Sequence, residues 1–158
     1  MRRTAIFMLP AMAFVLGCRT TAPPRAAAPP EFLTSPDAAS LALPFSEAVR
    51  TGDLLFVSGQ IGNLPGKREL VPGGIGPEAA RALENIKAIL ERHGSSMDDV
   101  VKCTVFLADI GEWPAFNEVY RRAFPRHFPA RSALAASGLV MGARVEVECI
   151  AHSPSAAR

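Results

Sequence analysis

Pro77-Glu78-Ala79-Ala80-Arg81-Ala82-Leu83-Glu84-Asn85-Ile86-Lys87-Ala88-Ile89-Leu90-Glu91-Arg92-His93-Gly94 decides the fold class. Pro77 suits a first helical turn, Glu78 sits near the positive end of the helix dipole, and Gly94 supplies a stop, so the segment predicts a helix over 77–93. Ala79, Leu83, Ile86, Ile89 and Leu90 recur at three-to-four spacing, whereas Arg81, Glu84, Lys87 and Glu91 fall elsewhere. Such a helix buries one stripe, and the β-prone runs around it supply a sheet to cover. Upstream, Phe45–Val49 and Leu54–Ser58 flank the turn-rich Arg50-Thr51-Gly52-Asp53 and predict a hairpin. The breakers Pro65, Gly66, Pro72, Gly73 and Gly74 make residues 62–76 a loop.

Downstream, Val100–Ala108 is rich in β-branched and aromatic residues and reads as a central strand. Pro114 opens a second helix that Pro125 ends, with Phe116, Val119, Tyr120 and Ala123 as its buried face. Arg131–Ala136 and Arg144–His152 are the last two strands. The resulting order, β-β-α-β-α-β-β, predicts a two-layer α+β sandwich with two helices on one face of a mixed sheet. The uncovered face then meets either solvent or another subunit.

The chain has 158 residues, 49% of them hydrophobic, with 17 basic against 15 acidic side chains, which suits one globular domain. There is no basic block with interleaved aromatics, so nucleic acid is not an expected partner. Met1-Arg2-Arg3, the apolar run Ala5–Leu16 and Val15-Leu16-Gly17-Cys18 have the three-part layout of a secretion signal. A small residue directly before Cys18 resembles a bacterial lipobox, so residues 1–17 are read as a signal peptide and Cys18 as the lipidation site. The run is too short to span a bilayer, which takes about 20 apolar residues. Membrane contact is therefore expected through lipid on Cys18 alone, on the periplasmic side of a bacterial envelope. Residues 18–42, with Pro23, Pro24, Pro29, Pro30 and Pro36, are expected to form a tether, residues 43–153 the domain and residues 154–158 a tail.

Candidate chemistry is sparse. Glu146 and Glu148 share one face of a strand, opposite Val145, Val147 and Cys149; an ordinary solvated face explains them as well as a site does. Arg131 begins a strand, where its guanidinium can grip a carboxylate through two parallel hydrogen bonds or form a structural ion pair. His93, His127 and His152 show no metal-ligand spacing, and no metal is expected. Ser58 lacks the surroundings of a hydrolase nucleophile. Cys103 and Cys149 both fall in strands; they are either buried thiols or, after export, a disulfide.

Six stretches taken together resemble the Rid (YjgF-like) family: Phe56-Val57-Ser58-Gly59-Gln60-Ile61, Ala82-Leu83-Glu84-Asn85-Ile86-Lys87, Asp99-Val100-Val101-Lys102, Phe116-Asn117-Glu118-Val119-Tyr120, Pro129-Ala130-Arg131-Ser132 and Val145-Glu146-Val147-Glu148. The resemblance runs from about Leu43 to Ala151. It implies a chorismate-mutase-like fold assembled as a homotrimer, with sites in clefts between subunits. It also implies cofactor-independent hydrolysis of 2-imino acids or their enamines to 2-keto acids and ammonia. On this resemblance Arg131 binds the substrate carboxylate, Glu146 handles protons and orients water, and Ser58, Gly59 and Phe45 line the cleft. Asn117 and Tyr120 support it.

The chain departs from the family at Pro44-Phe45-Ser46-Glu47, where members usually have Pro-Tyr-Ser-Gln, and at Ala133, where many have Cys. Phe45 removes a hydroxyl from the cleft and Glu47 adds a charge. These departures keep open a second reading: a noncatalytic envelope protein that binds a small carboxylate or acts as an interaction protein.

Overall fold

The computed structural model describes residues 28–153. The leader, Cys18 and residues 154–158 lie outside them. Nine main elements follow in chain order: β1 Glu31–Leu33, α1 Pro36–Ser40, β2 Ala48–Thr51, β3 Leu54–Ile61, α2 Ile75–Arg92, β4 Val100–Leu107, α3 Trp113–Ala123, β5 Ala130–Ala135 and β6 Val145–His152. The strands form one sheet in the order β1-β2-β3-β6-β4-β5. All pairs are antiparallel except β4 with β5, which run parallel because α3 makes the crossover between them. The predicted two-layer α+β arrangement, with its mixed sheet, is the one observed.

Both predicted helices form, within two residues of their expected starts and one of their ends. The α2 stripe is buried as read, with Glu78 and Ala82 added. On α3, Phe116, Val119 and Tyr120 are buried, and Ala123 packs at the margin. These faces close over Leu55, Val57, Cys103, Val105, Leu107, Val145, Val147 and Cys149 from the sheet, and that is the core. The β2–β3 hairpin turns at Gly52-Asp53, with Thr51 facing Leu54; Gly52 at φ 55° takes the left-handed conformation the tight turn needs.

Three expectations are corrected. Residues 31–42 are part of the folded unit rather than a tether: β1 adds to the sheet beside β2, and Pro36 opens α1 behind a Ser35 cap. Proline-rich composition hid two very short elements whose stability comes from what they pack on. The domain therefore starts before Leu43, and the element order gains a strand and a helix at its front. The centre of the sheet is shared by β3 and β6, with β4 next to an edge, so Val100–Leu107 is an interior strand but not the middle one.

The open alternative at the cysteines resolves as a disulfide: Cys103 and Cys149 lie directly across β4 and β6 and are joined, with Cα atoms 4.1 Å apart. Both are essentially inaccessible to solvent. On the face away from the helices, a cross-strand row runs Phe32, Val49, Phe56, Ile150 and Lys102. Leu134 of β5 is also exposed. That face is markedly apolar for a surface facing water.

Candidate functional site

β3 and β6 pair regularly from Leu54/His152 to Val57/Cys149, and then β3 gains a residue: Gln60, not Gly59, faces Val147. The bulge falls on Ser58-Gly59, and bulges of this kind re-aim side chains next to active sites. Here the aimed group is Glu146. A Cβ built on Gly59 would lie 1.9 Å from Glu146 Oε1 and 2.9 Å from Cδ, so the carboxylate occupies the space a side chain at 59 would take. Strand alternation puts Val145 and Val147 into the core and Glu146 on the opposite face, half-buried, while Glu148 is exposed. Burial pushes the Glu146 carboxyl above its ordinary value, and the neighbouring Glu148 charge adds to this. The two glutamates that strand alternation alone left equivalent are thus distinguished.

Glu146 lines a cavity of about 580 Å³ together with Phe45, Glu47, Gly59, Gln60 and Met141. Phe45 is half exposed on its wall. Ser58 is not on that wall; its hydroxyl donates to the Ser46 carbonyl at 2.7 Å, and its N–H donates to the Glu47 carbonyl at 3.0 Å. Ser58 thus secures the backbone of the segment that carries Phe45 and Glu47. Lys67, Arg68 and Arg92 contribute positive charge to the same cavity.

Glu47, flagged as an added charge, is buried and fully engaged. Its Oε2 accepts the Ser35 hydroxyl at 2.7 Å, and its Oε1 accepts from Arg92 Nη1 and His93 Nε2, each at 2.8 Å. A carboxylate can only accept, so His93 carries its proton on Nε2 here. Burial alone would raise the Glu47 carboxyl, but the hydrogen bonds from Ser35, His93 and Arg92 and the Arg92 charge outweigh it and hold it low. The cluster joins the start of α1, the entry to β2 and the end of α2. Sequence reasoning missed it because its partners lie 12 to 46 residues from Glu47.

Arg131 is elsewhere. It faces Cys103 across β4 and β5, and Cys103 points into the helix-covered core. Its guanidinium lies 4.5 Å from the Tyr120 ring centre, 5.0 Å from Trp113 and 5.8 Å from Phe116. Such cation–π contacts hold the guanidinium in place without engaging its N–H donors in an ion pair. Among the described residues Arg131 forms no ion pair. Tyr120 therefore supports Arg131, and its buried hydroxyl is pushed up to about 12, first by burial and against the Arg131 charge. Asn117 is half-buried on α3 beside Phe116. The chain thus holds Glu146 and Arg131 on opposite faces of the sheet, two strands apart, and does not bring them together.

Residues 35–153 match the family model described as Endoribonuclease L-PSP. Among similar proteins, the goat 2-iminobutanoate/2-iminopropanoate deaminase is 46% identical over 108 residues, covering 68% of this chain and 79% of that one. The human protein of the same name is 43% identical over 108 residues, with the same coverage. A Yersinia pestis structure, YyfA of the conserved Rid protein family, superimposes with a TM-score of 0.73 at 34% identity, covering 78% of this chain and 99% of that chain. Escherichia coli TdcF, solved with bound serine, gives a TM-score of 0.66 at 35% identity, covering 70% and 88%. The match starts at Ser35, which agrees with the cap that anchors α1 and corrects the later boundary read from the motifs. The bulge that seats Glu146, the helix that carries the rings under Arg131 and the strand order that separates them all lie within this matched region, and the chain belongs to the endoribonuclease L-PSP, or Rid/YjgF, family.

Proposed function

We propose that this protein hydrolyses reactive 2-imino acids to 2-keto acids and ammonia without a cofactor, in clefts between the subunits of a homotrimer. The observation that carries the reading is the Glu146 carboxyl, half-buried behind Gly59, raised in pKa and facing a cavity. An iminium carbon is already electrophilic. Water adds to it, losing a proton to Glu146, which passes that proton to nitrogen; the C–N bond then breaks and ammonia leaves as the hydroxyl gives its own proton back to Glu146 and the C=O forms. A carboxyl whose pKa burial has raised is suited to accept that proton and return it. Arg131 holds the substrate carboxylate, and it reaches Glu146 only from a second copy, which the exposed apolar sheet face is suited to bind. The names of the goat and human relatives and the serine held by the E. coli relative support the same class of small amino-acid-derived ligand.

The test is hydrolysis of 2-iminobutanoate, generated in situ by an amino-acid oxidase, by the purified full chain. Acceleration over the spontaneous rate is expected. A folded trimer without acceleration would favour the carboxylate-binding reading. Gly59→Ala is a sharper probe: the new methyl displaces only the end of the Glu146 side chain, so the melting temperature stays within a few degrees while kcat falls by about tenfold or more.

The same proposal includes export and lipid anchoring at Cys18. The buried Cys103–Cys149 disulfide supports it, since such bonds form and persist in oxidising compartments. Mass spectrometry after expression in a bacterium is expected to show an acylated Cys18 at the mature N-terminus; an intact leader would refute the anchor.

A further inference from the structure

Arg131 is placed by α3. The Tyr120, Trp113 and Phe116 rings stand 4.5, 5.0 and 5.8 Å from its guanidinium, all within the roughly 6 Å over which a ring face attracts a cation. Positions 113, 116 and 120 share one face of the helix, which is why their rings converge on one group. All of them belong to the same chain as Arg131, so these contacts exist in each copy before any cleft is completed. Phe116 and Tyr120 are also core residues, whereas Trp113 is only partly buried at the margin of the core. Its contact with Arg131 can therefore be separated from the packing of the fold.

Trp113 is itself held firmly. It is the first residue of α3, and Pro114 after it suits the first helical turn. The residue before it, Glu112, receives a two-pronged ion pair from Arg144, Nε to Oε2 at 2.9 Å and Nη2 to Oε1 at 2.8 Å. The Arg144 backbone N–H donates in turn to the buried Glu78 carboxylate of α2 at 2.8 Å. The start of α3 is thus tied both to α2 and to the segment that leads into β6. An arginine carries much rotamer freedom, and ordering it at the moment a substrate arrives weakens binding. A fixed ring against the guanidinium does that ordering in the folded chain.

We infer that Trp113 is a positioning residue for the substrate carboxylate, its ring holding the Arg131 guanidinium where the carboxylate is received. The inference rests on the reading of Arg131 as the carboxylate anchor and adds the residue that sets it. Trp113 acts only through Arg131, so its loss is expected in binding rather than in the chemical step.

Trp113 is the single tryptophan of the chain, so its emission reports the charge beside its ring. Titrating 2-ketobutanoate, the product of 2-iminobutanoate hydrolysis, into the full chain is expected to change that emission saturably after correction for absorbance, and Arg131→Ala is expected to abolish the response. In hydrolysis, Trp113→Leu is expected to raise KM for 2-iminobutanoate at least about threefold with kcat within about twofold, and Trp113→Phe to recover most of the loss. In the Arg131→Ala background Trp113→Leu is expected to add nothing, because the group it positions is gone. An equal effect in both backgrounds would overturn the inference, since Trp113 would then act on the fold. An emission that ignores the keto acid, or responds equally without Arg131, would also overturn it, and this titration decides alone where Trp113→Leu does not fold. A saturable, Arg131-dependent change in emission with no imine hydrolysed would overturn the deaminase reading and leave the inference in place.

Discussion

Glu146→Gln is expected to lower kcat for imine hydrolysis by about 10²–10⁴, the contribution typical of a positioned proton-transfer group. The substitution keeps the volume and removes the group that titrates. Because the folded structure raises the Glu146 pKa through burial and the Glu148 charge, the ionised form is disfavoured there. The neutral amide should therefore leave stability at neutral pH unchanged or improved, and a melting curve beside the rate separates lost chemistry from lost fold. Arg131→Ala is expected to act through substrate binding, raising KM and lowering kcat/KM by about tenfold or more, the cost of losing one charge-assisted carboxylate clamp. A mixing experiment tests the shared cleft. If trimers assembled from equal amounts of the two impaired variants exchange at random, about a quarter of the sites pair an intact Glu146 with an intact Arg131 from the neighbour, and kcat/KM rises above that of either variant toward a quarter of the wild-type value. If both residues served one subunit alone, mixing would restore nothing.

The second large effect concerns stability. The Cys103–Cys149 bond closes a separation of 46 residues, for which the chain-entropy account gives about 4 kcal/mol. Replacing both cysteines by Ala is expected to lower the melting temperature by about 10 °C or more, and a reductant should have a comparable effect only on chains unfolded in its presence. Reduction of the folded protein should be slow, because both sulfurs are buried between the sheet and the helices. Mass analysis after thiol labelling, with and without denaturant, checks this directly.

Legibility of the fold followed the strength of local signals. α2 was readable because a proline start, a glycine stop and five spaced apolar residues agree, and the hairpin because Gly52 interrupts two β-prone runs. β1 and α1 were not, since three strand residues and five helical ones, set among prolines, carry no periodicity. The family resemblance named candidate site residues one by one, yet not their arrangement. Only strand register shows that the two cysteines face each other, only the bulge shows why Gly59 belongs with Glu146, and only the packing shows Glu47 as a buried three-partner acceptor. Arg131 was assigned a carboxylate; the rings that hold it lie on α3, and the crossover that brings them beneath it is invisible to spacing.

The position of β6 has a consequence for biogenesis. The last strand to be synthesised separates β3 from β4, so without residues 145–152 the sheet is two disconnected pieces. A nascent chain cannot complete this sheet until residues 145–152 have emerged, and long-range pairing of this kind is slow to form. Under the proposed export, that delay would keep the chain transport-competent. Cys149 rides on the same strand, so oxidation of Cys103 to its native partner waits until that strand is available.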